Sequence, residues 1–165
     1  MAEVIDICFI DNNPEQYKSM LDIFQSYFGK SIDACSTEIM DNWEYSNLKV
    51  ISEKDLMKYV NTKIVRLVLT CGEDHIVITI EKMHECYQID GCYNPRNEIE
   101  EEEYRAFLKW ALEKLKSNNA AICAIGRETL IHYSTDLNEM RDTSHGVDAW
   151  IVRGEVCGLV YEGII

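Results

Sequence analysis

The apolar positions near the N-terminus predict a strand followed by a helix. Residues 4–10 (VIDICFI) are rich in β-branched side chains and end at an acidic elbow, which is typical of a strand. Pro14 then stands at the first helical position with Asn13 as N-cap, and apolar side chains recur at helical spacing as far as Phe28. Gly29 provides the left-handed residue at which many helices end, so we expect this helix to end there.

The middle of the chain predicts a hairpin and a further strand. Residues 31–50 follow neither a helical nor a strand period clearly, and Ser52 is placed to cap a short helix after them. The runs KIVRLVLT and HIVITIE are rich in β-branched residues and are separated by residues 71–74, so we expect two antiparallel strands joined by a turn. The run CYQID favours another strand before Gly91.

The second half of the chain predicts one long helix and two hairpins. Asn97 and Glu100 form a capping-box pair, glutamates crowd the first turn, and apolar side chains recur beyond them at helical spacing. Strand-like runs flank Gly126 and Gly154, which predicts a hairpin around each glycine. Residues 135–146 between the two hairpins are polar and are predicted to form a loop.

Together these elements predict an α+β fold. Strands joined by short turns run antiparallel, so we expect a mostly antiparallel sheet built from hairpins, with the two main helices packed on one face. The chain of 165 residues contains no internal repeat and no linker rich in serine or glycine. Residues 1–165 are therefore predicted to form a single domain.

The charge of the chain limits the kinds of partner that it suits. There are 29 acidic and 16 basic residues, which gives a formal net charge of −13. Such an excess repels nucleic acid and anionic membrane surfaces, whereas it attracts basic proteins and accelerates their association. Solubility alone also explains an acidic surface, and both interpretations stay open. We expect a basic protein as partner, and neither nucleic acid nor a membrane.

The cysteines favour a reducing compartment. Their number is odd, and several lie within apolar runs, as buried free thiols do. The first residues carry acids and no basic segment, unlike a signal peptide, and no apolar run approaches the length of a membrane span. The protein is therefore predicted to be cytoplasmic. The cysteines are Cys8, Cys35, Cys71, Cys86, Cys92, Cys123 and Cys157.

The segment ICFIDNNPE resembles the opening of a response-regulator receiver domain, in which an acidic pair after the first strand helps to hold Mg²⁺. The resemblance implies that Asp11 and Asn12 take those positions, and that Thr70 is the Thr or Ser that ends the family's fourth strand. The family's parallel sheet does not fit the predicted hairpins, and Asp55, the acid nearest the phosphoacceptor spacing, lies at a helix start. A degenerate receiver-like or metal-dependent signalling domain, or an enzyme, is therefore the alternative function.

One cluster of residues carries side chains that bind metals elsewhere. His84, Cys86 and Cys92 lie close together in the sequence, and imidazole and thiolate groups are zinc ligands, but the chain has no C-x-x-C pair here. Together with Asp11 they are weak metal candidates, and two buried thiols beside a surface imidazole explain the cluster better. No catalytic residue and no cofactor are predicted.

In size, acidity, the run EIEEEEY and the hairpin-rich tail, the chain resembles the immunity proteins of bacterial toxin systems. Those proteins are small, cytosolic and often acidic α+β domains that cap the basic active site of a cognate toxin. The resemblance implies a binding protein that neutralises a basic partner by occlusion, through electrostatic steering followed by aromatic anchoring. The predicted contact residues are Glu100, Glu101, Asp136, Glu139, Asp142, Asp148 and Trp150. Further aromatic candidates, for most of which partial core burial is the better explanation, are Trp43, Tyr45, Tyr87, Tyr93 and Tyr133.

Overall fold

The computed structural model describes residues 3–159, apart from the side chains of residues 34, 35 and 159. The strands are β1 (Ile5–Asp11), β2 (Ile32–Met40), β3 (Lys49–Ile51), β4 (Ile64–Cys71), β5 (Asp74–Lys82), β6 (Tyr87–Asn94), β7 (Ile122–Leu130), β8 (His145–Val152) and β9 (Glu155–Leu159). The helices are α1 (Tyr17–Phe28), α2 (Glu101–Lys116) and α3 (Leu137–Thr143), with short 3₁₀ helices at Pro14–Gln16 and Glu53–Lys58. No helix in this range is both long and apolar enough to span a membrane.

The strands form one sheet in the order β3-β2-β4-β5-β6-β1-β7-β8-β9, and each neighbouring pair is antiparallel. This arrangement confirms the predicted α+β fold with a mostly antiparallel sheet. β1 lies inside the sheet, with Phe9 opposite Ile89 of β6 on one side and opposite Cys123 of β7 on the other. The predicted β4–β5 hairpin is present, as is the β8–β9 hairpin, whose turn contains Gly154 at φ 81°.

Alternate residues of β1 point to opposite faces of the sheet, and both faces are covered. Ile7 and Phe9 belong to the larger core, which α1 and α2 cover, whereas Cys8 and Ile10 belong to a smaller core beneath α3. The two main helices therefore share one face, as predicted. We call the opposite side of the sheet, to which Cys8 and Ile10 point, the α3 face.

Local hydrogen bonds define both ends of the first helical segment. The Asn13 side chain accepts a bond of 3.0 Å from Glu15 N, and Gly29 adopts φ 64°, so the predicted cap residues are confirmed. Gln16 does not complete a capping box. Its amide nitrogen instead donates to Asn119 Oδ1 at 2.8 Å, which links this segment to the loop before β7.

α2 begins later than the sequence pattern predicts. Its N-cap residue is Glu100, which has φ −66° and ψ 153°, and the helix starts at Glu101. The predicted start at Asn97 is wrong, because the extended backbone at Glu100 separates Asn97 from the helix. The first turn is nonetheless acidic, as the helix dipole favours. The side chains that α2 buries are Tyr104, Phe107, Leu108, Ala111, Leu112 and Leu115.

Two segments without a clear pattern form regular structure. Residues 31–50 contain β2 and β3, and the register of β2 against β4 shifts between Ala34 and Ser36, which breaks the strand alternation. Residues 135–146, predicted to be a loop, contain α3. Asp136 caps this helix by accepting hydrogen bonds from the two following backbone amides at Asn138 and Glu139.

Gly126 lies inside β7, so the predicted hairpin around it is wrong. A Cβ atom at this position would lie 2.0 Å from the carbonyl oxygen of Gly146, and the glycine therefore permits close approach of β7 and β8. The register then shifts before Leu130, which marks an irregularity in β7. Within this irregular part, Thr129 N donates a hydrogen bond of 2.6 Å to the Asp6 carboxylate.

α1 packs closely onto β6 because a glycine faces it. A Cβ atom at Gly91 would lie 2.1 Å from Met20 Sδ and 3.2 Å from a ring carbon of Phe24. Both side chains are fully buried, so neither can move aside without displacing its neighbours. The position of the helix over the sheet therefore depends on the missing side chain at Gly91.

We predict that Gly91→Ala lowers the free energy of unfolding by about 1–3 kcal/mol, the usual cost of overpacking a core. Urea unfolding followed by circular dichroism measures the loss. In the double variant with Met20→Ala the added methyl group gains room, so the combined loss should be smaller than the sum of the two single losses. Strictly additive losses would contradict the close contact between the two positions.

Candidate functional site

A pocket of about 510 Å³ opens on the α3 face, and we call it the acidic pocket. Its floor comes from β1, β5 and β6. One wall is the loop between β2 and β3, and the other is the segment that leaves β7. The residues that define its chemistry are Asp6, Glu81, Gln88 and Asp90 on the floor and Trp43 and Tyr133 on the walls.

Three carboxylates from three neighbouring strands line the acidic pocket. Asp6 belongs to β1, Asp90 to β6 and Glu81 to β5. The register of β1 against β6 places Asp6 opposite Cys92 and Asp90 opposite Cys8, so acids and thiols alternate across the two strands. No lysine or arginine is among the lining residues described for this pocket. The pocket therefore presents a negative potential to any ligand.

Asp90 is the carboxyl group that the fold perturbs most clearly. Burial raises its pKa from 3.8 to about 6, and the neighbouring charges of Asp6 and Glu81 add to the rise. Hydrogen bonds from the Cys8 thiol and from Gln88 Nε2, the latter at 3.0 Å, lower the pKa in part. The desolvation exceeds these contributions, so the ionised form of the Asp90 carboxyl group is energetically unfavourable at neutral pH.

Asp6 is held in place by the irregular part of β7. In addition to the bond from Thr129 N, its carboxylate accepts a hydrogen bond from the Cys92 thiol. Burial raises the pKa of Asp6, and these hydrogen bonds oppose that rise. The carboxylate is thereby fixed in orientation at the edge of the pocket floor.

The two thiols beside these acids act as hydrogen-bond donors. Burial raises the pKa of Cys8 well above its ordinary value and raises that of Cys92 to about 12, and the neighbouring carboxylates add to both shifts. A thiol must lose its proton to act as a nucleophile or as a metal ligand. In the arrangement present here Cys8 and Cys92 therefore remain protonated and support the carboxyl groups.

The walls of the acidic pocket contain two aromatic side chains. Trp43 is 49% exposed, and its Nε1 donates a hydrogen bond of 2.9 Å to Glu81 Oε2. Across the pocket, the Cys86 thiol and the Tyr133 hydroxyl share a hydrogen bond with 3.3 Å between sulfur and oxygen, and this contact together with burial raises the pKa of Tyr133 to about 12. Both aromatic groups are neutral and carry π-systems, which can stack on a flat cation.

The predicted contact residues divide between the two faces of the sheet. Asp136, Glu139 and Asp142 are exposed on α3, on the same face as the acidic pocket. Glu100 and Glu101 lie at the start of α2 on the other face. The remaining two, which lie on β8, are less accessible. Asp148 accepts a hydrogen bond from the Tyr104 hydroxyl, and Trp150 is 6% exposed within the smaller core.

The weak metal candidates lie apart in the structure. His84 is exposed in the turn between β5 and β6, and Cys86 is half-buried beside it, bonded to the pocket wall. Cys92 lies further along β6 on the α3 face, whereas Asp11 points to the opposite face. In the part of the chain that the structure describes, no group of three or more His, Cys, Asp or Glu side chains is arranged to hold a metal ion.

The acidic elbow after β1 has a structural role, because its hydrogen bonds connect neighbouring elements. Asp11 accepts hydrogen bonds from Asn13 N at 3.2 Å and from Ala121 N at 3.1 Å, so it connects the start of the first helical segment to the start of β7. Thr70 lies within the β4–β5 hairpin, opposite His75. The antiparallel sheet also differs from the parallel arrangement that the receiver resemblance implies.

Sequence reasoning did not single out the three acids of the pocket floor. Asp6, Glu81 and Asp90 each stand within a strand-like run, where a polar residue indicates only the less buried side of the strand. The alternation of polar and apolar residues within each run is visible in the sequence. Which strands become neighbours, and hence which acids meet, depends on long-range pairing that the local pattern does not contain.

Comparison with known proteins finds no family model, no curated protein and no solved structure that matches this chain. The geometry of the acidic pocket and of the surface around it is therefore the guide to function.

We predict that Asp90→Asn changes how stability depends on pH. The folded protein binds the Asp90 proton more tightly than the unfolded chain does, since the folded pKa is about 6 and the ordinary value is 3.8. The wild type should therefore lose stability relative to the variant as the pH rises from about 4 to about 6, by up to about 3 kcal/mol. Urea unfolding of both proteins across this range measures the difference.

The variant Asp142→Asn removes the same charge from an exposed position and serves as the control. It should show a much smaller change in relative stability over the same pH range, because an exposed carboxylate is not desolvated by folding. A constant difference in stability between wild type and Asp90→Asn at every pH would contradict the burial of an ionised Asp90 carboxylate.

Proposed function

We propose that this protein is a small acidic binding protein that neutralises a basic protein partner by covering its functional surface, in the manner of immunity proteins. The observation that carries the proposal is the acidic pocket, in which three carboxylates meet without a described lysine or arginine in the lining. A cationic surface is the complement of such a site. We place this interaction in the cytoplasm, with a cognate toxin as the expected kind of partner.

The exposed acids of α3 support the proposal because they extend the negative surface beside the pocket. Asp136, Glu139 and Asp142 lie on the α3 face, and the segment that forms one pocket wall leads directly into this helix. With a formal net charge of −13, the whole molecule attracts a basic protein before contact. This long-range attraction raises the rate of association and falls with ionic strength.

Exposed apolar side chains next to the pocket support a role for anchoring. Trp43 is 49% exposed, and Tyr45 and Leu48 on the same β2–β3 connection are 53% and 45% exposed. Val50 of the adjoining β3 is 72% exposed. Large apolar groups clustered on a surface are typical of protein interfaces, where aromatic anchors contribute much of the binding energy. We infer that this connection and the α3 face contact the partner together.

Occlusion requires a surface that keeps its shape, and the sheet supplies one. α1 and α2 bury one face of its central strands, α3 buries part of the other face over β1, β7 and β8, and side-chain bonds hold Asp6 and Asp90 on the pocket floor. A surface that is already ordered loses little conformational entropy when a partner binds. The metal-dependent and enzymatic alternatives lack a comparable observation among the described residues.

We predict that the immobilised protein captures a basic protein from extracts of its own cells. Mixing the two purified proteins at equal concentrations should abolish the activity of that partner.

Replacing Asp136, Glu139 and Asp142 by Asn, Gln and Asn should slow association with the partner about tenfold at low ionic strength, with little effect on dissociation, because the change weakens electrostatic steering. Asn at position 136 retains the helix cap. Stopped-flow kinetics at several salt concentrations measure the rate.

The control variant removes the same number of charges from exposed positions on the opposite side of the sheet, by substitution of Asp22, Glu53 and Glu113. A larger loss of association rate in the α3 variant than in this control supports contact through the α3 face. Equal losses of association rate in the two variants would show that only the net charge of the protein, and not the position of its acids, affects association. A captured partner that stays fully active within the complex would overturn the proposed occlusion.

A further inference from the structure

The acidic pocket has the chemistry of a receptor for one organic cation. Its three carboxylates have no lysine or arginine beside them in the described lining, in which the imidazole of His132 is the one basic group. Two lysines line an adjoining pocket, and both are engaged elsewhere. Lys63 pairs with Asp41, and the Lys82 ammonium lies 4.6 Å from the centre of the Tyr87 ring. An added cation would therefore meet carboxylates that no lysine or arginine of the described lining neutralises.

The geometry of the acceptors favours a flat, branched cation over a compact one. Asp6, Asp90 and Glu81 lie on three neighbouring strands, which are spaced about 4.8 Å apart. The register pairs Asp6 with Cys92 and Glu81 with Gln88, two residues to either side of Asp90 on β6, so the three carboxylates form a diagonal row of separate acceptors. A guanidinium group carries five N–H donors in one plane and can bond two or three separate acceptors at once. An ammonium group is a single point of charge and would leave some of these acceptors unbound.

The aromatic wall adds a second feature that suits a guanidinium. Trp43 is fixed by its bond to Glu81 and remains about half exposed. Guanidinium groups stack on aromatic faces and are less strongly hydrated than ammonium groups, so they enter such a site at a lower desolvation cost. Carboxylates below and an aromatic side chain at the side together form a built cavity, and not merely a group of surface acids.

We propose that the acidic pocket binds a single guanidinium group, and that in the proposed complex this group is an arginine side chain of the basic partner. The second half of this statement rests on the proposed function, whereas the first half does not. A free guanidinium compound would use the same contacts. The experiment therefore tests the small ligand and the protein partner separately.

The first arm titrates the full-length protein with Nα-acetyl-arginine amide and follows the indole Nε1–H resonance of Trp43 by NMR. This resonance is assigned with the variant Trp43→Phe. A saturable shift is expected with the arginine amide. The neutral analogue Nα-acetyl-citrulline amide should give no shift, and Nα-acetyl-lysine amide should bind about tenfold more weakly, since it offers fewer and less spread donors.

Variants of the pocket floor locate the site. Asp90→Asn and Glu81→Gln should each weaken the binding of the arginine amide about tenfold, because each removes one ionic partner. The exposed substitutions Asp22→Asn and Glu113→Gln remove the same charge on the opposite side of the sheet and should leave the affinity within about twofold. Thermal unfolding of each variant confirms that it is folded. Equal losses in pocket and surface variants, or equal binding of the lysine amide, would overturn the guanidinium site.

The second arm uses the purified basic partner with the same four variants. If the partner binds only the two pocket variants more weakly, and if the arginine amide competes with the partner for the wild-type protein, an arginine of the partner occupies the pocket. Tight binding of the partner without any effect of Asp90→Asn or Glu81→Gln would overturn the inference and leave the proposed function intact. Binding of the arginine amide when no basic partner is inhibited would overturn the proposed function and leave the guanidinium site.

Discussion

The pairing of β1 with both β6 and β7 is the interaction on which the rest of the structure depends. This first strand lies between elements that come from the middle and from the end of the chain, and its ladders with both are continuous. Ile7 and Phe9 reach the core under α1 and α2, while Cys8 and Ile10 reach the core under α3. Loss of either ladder would separate the sheet into two parts, each with an exposed edge.

The same pairing builds the acidic pocket, because strand register determines which side chains share a face. With Asp6 opposite Cys92 and Cys8 opposite Asp90, both acids point away from the main helices. A slip of one residue would exchange the faces and place carboxylates in the larger core, at a high desolvation cost. The apolar residues Ile7 and Phe9 thus hold the pocket acids in place indirectly, since they fix the register that exposes them.

The carboxyl groups of the pocket floor lower the stability of the fold, whereas the proposed binding of a cation requires them. Burial makes the ionised form of Asp90 unfavourable, and the fold offsets this only in part with hydrogen bonds from Cys8 and Gln88. A carboxyl group in such a position lowers the stability of the folded protein at neutral pH, and a cation bound beside it would favour its ionised form. The thiols suit this position because they are small, apolar in character and able to donate a weak hydrogen bond.

Much of the local structure followed from the sequence, because it depends on neighbours in the chain. The Asn13 cap, the glycine stop at Gly29, the apolar stripe of α2 and the β4–β5 hairpin all have causes within a few residues of each other. Where distant contacts compete, the local pattern failed, as at Gly126, whose missing side chain serves an approach of two strands and not a turn.

The sequence by itself determined the α+β class, the acidic character and the side of each strand on which its polar residues lie. Only the tertiary structure decided that Asp6, Glu81 and Asp90 meet, and that Trp43 stands beside them. The physical reason is that alternation within a strand is a property of neighbouring residues. The order and register of strands depend on which distant apolar faces bury the most surface together.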